Sequence, residues 1–163
     1  MKLKNWISII GLAIPIIAFI GYTKYVGNQY KEIRSKGDKT IGVITVFGGD
    51  IICGFKIDGV DKTKRMSKPH ESMRDGERYN VYYYSQVPDK YYIDFSEPVI
   101  DMSFFEKTVT TAVKLKGDYL LFGYRVDGEA YERYQQVVPG LQESNQYSVF
   151  YNLKDPKIAY LIP

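Results

Sequence analysis

Cysteine occurs once in the 163 residues, at Cys53, so no internal disulfide can staple the fold. Histidine also occurs once, at His70. A single His with no second His or Cys at ligand spacing falls short of a zinc site, and no Cys-His pair or Gly-x-Ser-x-Gly elbow marks a nucleophile. Glu71, Asp75 and Glu77 lie close to His70, but they lack the Asp-x-Asp-x-Asp-Gly spacing of a calcium loop, so the stretch reads as a solvated loop. Glycine-rich phosphate loops are missing too, since Gly48-Gly49-Asp50 reads as a hairpin turn. No motif marks a carboxylate pair for glycoside hydrolysis. The expectation is a protein that is not an enzyme, with no cofactor, no metal and no catalytic residue to name.

Excess charge is scarce and unevenly placed. The net charge of +3 divides into +5 over residues 1–39, where seven Lys and Arg face Glu32 and Asp38, and −2 over the remainder, with 15 basic and 17 acidic residues. The basicity therefore belongs to the flanks of one apolar segment, and the rest lacks the electrostatic excess on which phosphate binding relies. Nucleic acid is not an expected partner.

That segment, Trp6 to Tyr22, is uncharged and long enough, at about 1.5 Å per residue, to cross most of a bilayer core as a helix. Trp6 and Tyr22 stand where an aromatic belt would stand, Lys2, Lys4 and Lys24 can reach headgroups, and Pro15 is tolerated in a membrane helix. No small-x-small triplet comes after the run, and no cysteine there could accept a lipid. These features favour an uncleaved single-pass anchor, with the lipid bilayer as partner of residues 6–22, over a signal peptide. The two-lysine start favours export of the β-rich remainder, whereas the basic cluster after Tyr22 pulls the other way; export is the expectation. Tyr22 to Lys39 reads as a juxtamembrane helix ended by the turn chemistry of Ser35-Lys36-Gly37-Asp38.

Beyond residue 39 the chain repeats itself. Gly54-Phe55-Lys56-Ile57-Asp58-Gly59 returns 69 positions later as Gly123-Tyr124-Arg125-Val126-Asp127-Gly128. Asp-Gly supplies the positive backbone angles of a tight hairpin. Aligning the copies assigns faces by the two-residue period of a strand: Ile44/Val113 and Val46/Leu115 inward, Cys53/Phe122, Phe55/Tyr124 and Ile57/Val126 inward, Lys56/Arg125 outward. Cys53, matched by Phe122, reads as a small buried hydrophobe. A third strand is expected at about 61–66 and 130–136. After a loop at Ser67 to Arg78, matched one residue shorter at Val137 to Gln146, Tyr79-Asn80-Val81-Tyr82-Tyr83 pairs with Tyr147-Ser148-Val149-Phe150-Tyr151. Pro88 then pairs with Pro156, and Tyr92-Ile93 with Tyr160-Leu161.

The fold expected is mainly β: an N-terminal transmembrane helix followed by two tandem small five-stranded units, each a partly open barrel or curved sheet. The divisions are 1–39 for the anchor and juxtamembrane segment, 40–95 for the first unit, 96–109 for a connector and 110–163 for the second unit. Tyr79, Val81 and Tyr83 belong to the core face. Tyr82 and Tyr84 fall on the other side, either buried between the units or forming an exposed aromatic row.

A strand ending in Asp-Gly, a variable loop, Tyr-x-Val-x-Tyr and a proline turn before a last short strand resembles a bacterial membrane-associated family of small β domains of unknown function. Phe55–Gly59 with Tyr79–Ile93, and Tyr124–Gly128 with Tyr147–Leu161, carry the resemblance. It implies membrane association and a small β fold, and it brings no catalytic residues. The usual Gly-Asp before the last long strand is replaced by Gly76-Glu77 and Ser144-Asn145.

The function expected is a membrane-anchored protein-interaction module of the bacterial inner membrane with its β units exported, of the kind that serves toxin immunity or accompanies an envelope complex. The partner protein is not identified by the sequence. The alternative is a binder of an anionic polymer, nucleic acid or glycan, through the basic third strand. The candidate surface is Lys62, Lys64, Arg65, Lys68, Tyr82 and Tyr84. Since agreement between the copies marks the scaffold, function is expected where they differ, in the Lys62–Lys68 strand and the loops at 67–78 and 137–146.

Overall fold

In a computed structural model the described residues are 3–138, 140–143 and 146–162, without the side chains of residues 3–14, 16, 17 and 88. One helix, α1 (Leu3–Lys36), precedes ten strands: β1 (Asp38–Phe47), β2 (Asp50–Ile57), β3 (Val60–Ser67), β4 (Arg78–Tyr84), β5 (Val87–Pro98), β6 (Phe105–Lys116), β7 (Tyr119–Val126), β8 (Glu129–Gln136), β9 (Ser148–Asn152) and β10 (Ala159–Ile162). The strands form two antiparallel sheets, ordered β3-β2-β1-β4-β5 and β10-β9-β6-β7-β8. Read in chain order within each unit, the two orders are the same path, so the repeat in sequence is a repeat in topology.

The hairpins form as their residues dictate. Asp58 and Asp127 adopt φ of 50° and 51°, with Gly59 and Gly128 at 80° and 86°, and these pairs close β2–β3 and β7–β8 with two-residue turns. Gly48, at φ 60°, turns β1 into β2. On β2 and β7 the inward residues Cys53, Phe55, Ile57, Phe122, Tyr124 and Val126 are all buried, and Lys56 and Arg125 are exposed. Burial pushes the Cys53 thiol up to about 12, as suits a core residue.

β6 departs from the pattern. The register of β6 on β7 slips between Thr110 and Ala112, and further along, where Val113 is buried, Leu115 is 55% exposed although it lies on the same face, opposite the buried Leu120. Its counterpart Val46 is half-buried against the first core, and its amide donates to Asp75 Oδ1 in the loop after β3 (2.5 Å). The matching loop of the second unit is shorter.

Two cores result, and β10 is the wall between them. Ala159 and Leu161 face the second core, with Val113, Phe122 and Val149, whereas Ile158 and Tyr160 enter the first, with Ile44, Ile51 and Tyr79. Period-two alternation lets one short strand serve both. Tyr160 lies 6.3 Å from Tyr79 and 6.0 Å from Phe105, ring to ring.

α1 is continuous through the expected juxtamembrane stretch and ends at Gly37, whose amide donates to the Ile33 carbonyl (2.8 Å). A Cβ at Gly37 would lie 2.5 Å from that carbonyl oxygen and 2.6 Å from that of Tyr83, so only glycine fits between helix and sheet. The last helical turns pack on β4 and β5: Ile33 is buried, and Tyr30 meets Tyr92 at 5.0 Å. Arg34 Nη2 donates to Glu97 Oε1 (2.5 Å), and its Nε stands 3.0 Å from the buried Asp94 carboxylate. Among the described residues no helix is long and apolar enough to cross a membrane. The side chains of most of the Trp6–Tyr22 run, Trp6 included, lie outside the described residues; Pro15 is exposed, as are Phe19, Ile20, Tyr22 and Tyr25.

Candidate functional site

Two places bring chemistry together: the seam between the units and the gap between the outer strands of the first sheet. The seam is built on an ion pair. Arg133, inward on β8, and Glu77, at the end of the loop before β4, meet at 2.7 Å with side chains 1% and 0% exposed. Arg133 Nη1 also donates to the carbonyls of Ser72 and Lys157, each at 2.9 Å, and its guanidinium carbon lies 5.1 Å from the Tyr160 ring centre. Glu77 Oε1 accepts from the Arg74 amide (2.6 Å), and Oε2 from the Tyr79 hydroxyl (2.5 Å).

These contacts satisfy the carboxylate on both oxygens, which is what makes a buried charge tolerable. Burial alone would lower the Arg133 pKa, but the Glu77 carboxylate outweighs it and holds the guanidinium above its ordinary value. The Tyr79 and Tyr160 hydroxyls are pushed up, first by burial. The ion pair, with the Tyr79 and Tyr160 rings beside it, ties the second unit to the first.

The loop expected to be solvated is so at Glu71, Arg74, Asp75 and Gly76, which are exposed, and the correction concerns Met73 and Glu77, which join the seam. Met73 and Glu77 are each 1% exposed, the Gly76 amide donates to the Ile44 carbonyl, and the Ile44 amide donates to the Glu77 carbonyl, each at 2.8 Å. His70 is half-buried, lies 5.5 Å from the Tyr119 ring and bonds Ser72 Oγ through Nδ1 (2.9 Å). Burial, helped by the Arg133 and Lys68 cations, depresses its pKa to about 4. Among the described residues no group of His, Cys, Asp and Glu could hold a metal ion. Ser144 and Asn145 lie outside the described residues.

The gap lies between β3 and β5. The first sheet curls into a half-barrel, which brings Phe55 of β2 within 4.9 Å of Tyr91 of β5 and lets Lys62 of β3 pair with Asp89 of β5 at 3.2 Å. A cleft of about 450 Å³ remains, lined by Lys64, Met66, Tyr91, Ile93, Phe95 and, from the second unit, Tyr119. In the second unit the same gap is bridged. Gln135 stands at the position of Met66, and its side-chain amide donates to the Leu161 carbonyl (3.0 Å) while its carbonyl accepts from the Leu161 amide (2.7 Å). Leu161 is the counterpart of Ile93, so the residue pair that bridges the gap in one unit lines the opening in the other.

The residues singled out from sequence do not form one patch. Lys62 and Lys64 face inward on β3, opposite Phe55 and Cys53, and Arg65 faces outward, where it pairs with Asp50 at 2.8 Å and lies 5.6 Å from the Phe47 ring. Lys68 is half-buried at the strand's end. Tyr82 is 8% exposed beneath the helix end, with its hydroxyl donating to Glu97 Oε2 (2.5 Å), so it lies neither in an open aromatic row nor between the units. Tyr84 is half-buried. Burial raises the Glu97 pKa, but hydrogen bonds from Tyr82, Arg34 and Asn80 overcome it and hold the carboxyl down at about 2.

Sequence reasoning missed Glu77, Arg133 and Gln135. The one signal available was that the copies differ there, with Lys64 opposite Arg133 and Met66 opposite Gln135. No family model, no curated protein and no solved structure matches this chain.

Proposed function

We propose that this chain is a membrane-anchored, non-enzymatic protein-interaction module of the bacterial envelope, held in the inner membrane by residues 6–22 with its β units exported. The observation that carries the reading is the seating of α1. A 34-residue helix leads without a break into the staple of Arg34 on Asp94 and Glu97. The β units are thus held rigidly at the end of a rod whose exposed Phe19, Ile20, Tyr22 and Tyr25 suit a lipid interface better than water. Toxin immunity and service to an envelope complex are roles of this class.

The alternative, an anionic polymer on β3, is weakened because Lys62 and Arg65 are already paired with Asp89 and Asp50. Steeply salt-dependent polyanion binding that vanishes when Lys62, Lys64 and Arg65 are neutralised would restore it.

Fractionation tests the anchor. The full chain stays with bacterial membranes after an alkaline carbonate wash, and a chain lacking residues 1–24 is released; a full chain released by the wash contradicts the reading. A photo-cross-linker placed at exposed β positions in intact cells tests the partner. A discrete protein adduct supports a module of this kind, and its absence from every exposed position on both units contradicts it.

A further inference from the structure

The open gap of the first unit has the features of a docking edge. β3 is the last strand of its sheet, and the two-residue turn at Asp58-Gly59 fixes which of its backbone groups are used. Val60, Lys62, Lys64 and Met66 bond to β2, so the amides and carbonyls of Asp61, Thr63 and Arg65 point away from the sheet. Edges of this kind template the addition of another strand unless they are covered. In the second unit the side-chain amide of Gln135 covers the gap by imitating a peptide group; in the first, Met66 cannot.

We propose that β3 of the first unit binds an extended acidic peptide segment of a partner protein by strand addition. The segment's outward backbone groups pair with Asp61, Thr63 and Arg65, and its alternate side chains turn into the cleft. An apolar one lies between Met66 and Ile93, over Tyr91 and Phe95, in the space that the Gln135–Leu161 bonds fill in the second unit. An acidic one meets Lys64, which is exposed and, among the described residues, has no carboxylate partner, whereas Lys62 and Arg65 have theirs. Asp89 also lines the cleft, but it is paired with Lys62, so the charge left unmatched there is that of Lys64, whose complement is a carboxylate; the free edge selects an extended chain.

This inference rests on the reading of the chain as a protein-interaction module, and it can fail while that reading survives. The probe is a fluorescein-labelled peptide, Thr-Leu-Thr-Glu-Thr-Leu-Thr, with a second peptide in which Lys replaces Glu, titrated against the full chain in detergent micelles and read by anisotropy. The acidic peptide binds saturably and the basic one at least about tenfold more weakly. Thr63→Pro removes an outward donor without touching the ladder to β2, and it weakens the acidic peptide about tenfold or more while far-ultraviolet circular dichroism stays unchanged. Lys64→Glu reverses the preference between the peptides, and Met66→Gln weakens both.

Saturable binding of neither peptide, or binding that Thr63→Pro leaves intact, overturns the inference. So does a short oligonucleotide that displaces the acidic peptide at equal concentration. If the peptides fail while cell cross-links form from another face, the module reading stands and the edge assignment falls. If cross-links are absent from every face, both fall.

Discussion

The two β units follow one path and differ at their margins. The second is bridged across its gap by Gln135 and Leu161, and it sends Arg133 into the seam. The first leaves the equivalent gap open, has Lys64 where the second has Arg133, and is covered on its outer face by the end of α1. Of two units with one topology, one thus has its gap bridged and the other keeps it open. The weld between them is the Glu77–Arg133 pair and the strand β10, which contributes to both cores.

The largest expected effect comes from breaking the weld. Glu77→Gln leaves the Arg133 guanidinium buried without its counter-charge and should cost about 3–5 kcal/mol of unfolding free energy, measured by urea titration. The double variant Glu77→Gln with Arg133→Met removes both charges and should recover part of that loss. If the single and double variants are equally unstable, the pair is not the feature that matters.

Exchanging the residues that distinguish the gaps comes next. Gln135→Met strands the Leu161 amide and carbonyl and should cost about 1–3 kcal/mol, whereas Met66→Gln should change stability by under about 1.5 kcal/mol. Equal effects in the two directions would mean that the Gln135 bridge does not distinguish the two units.

A pH profile sharpens the comparison at the loop. The folded-state pKa of His70 is depressed to about 4 against an ordinary 6.5, so the unfolded chain binds more protons between those values. The contribution is complete above about 6.5 and is lost as pH falls towards 4. His70→Gln should therefore flatten the acid side of the stability profile in that window. Glu97, held at about 2 against 4.5, acts in a lower window, with stability present above about 4.5 and lost as pH falls towards 2, and Glu97→Gln removes it. An unchanged slope between pH 6.5 and 4 in His70→Gln would show that the loop is not packed on the seam.

The smallest effect belongs to the exposed bridge across the open gap. Lys62→Ala breaks the pair with Asp89, whose side chain is 90% exposed, and should cost under about 1 kcal/mol.

The features legible in the sequence were local and repeated. Asp58-Gly59 and Asp127-Gly128 announce hairpins because few residues other than glycine, asparagine and aspartate accept those backbone angles, and the faces of β2 and β7 emerge because each copy checks the other. Leu115 keeps the expected register, opposite the buried Leu120 as Val46 is opposite Ile51, yet is 55% exposed, because cover over an inward position comes from the surrounding chain and not from the strand's own pattern. Tyr82 alternates outward as expected, but the cover it finds is a helix from far upstream. Glu77 sits among Glu71, Asp75 and Arg74, a composition that reads as a wet loop, and only Arg133 of the other copy makes its burial possible. Features carried by one copy alone have no second copy to reveal them, and the site lies among those features.

The measurement that tests the weld most directly is hydrogen exchange followed peptide by peptide across a urea series, comparing β2 of the first unit with β7 of the second. One cooperative body requires both to lose protection at the same free energy in the natural chain and to separate in Glu77→Gln, where the seam carries an unpaired charge. Separate opening of β2 and β7 in the unaltered chain would contradict the account, because it would show two domains that touch without being joined.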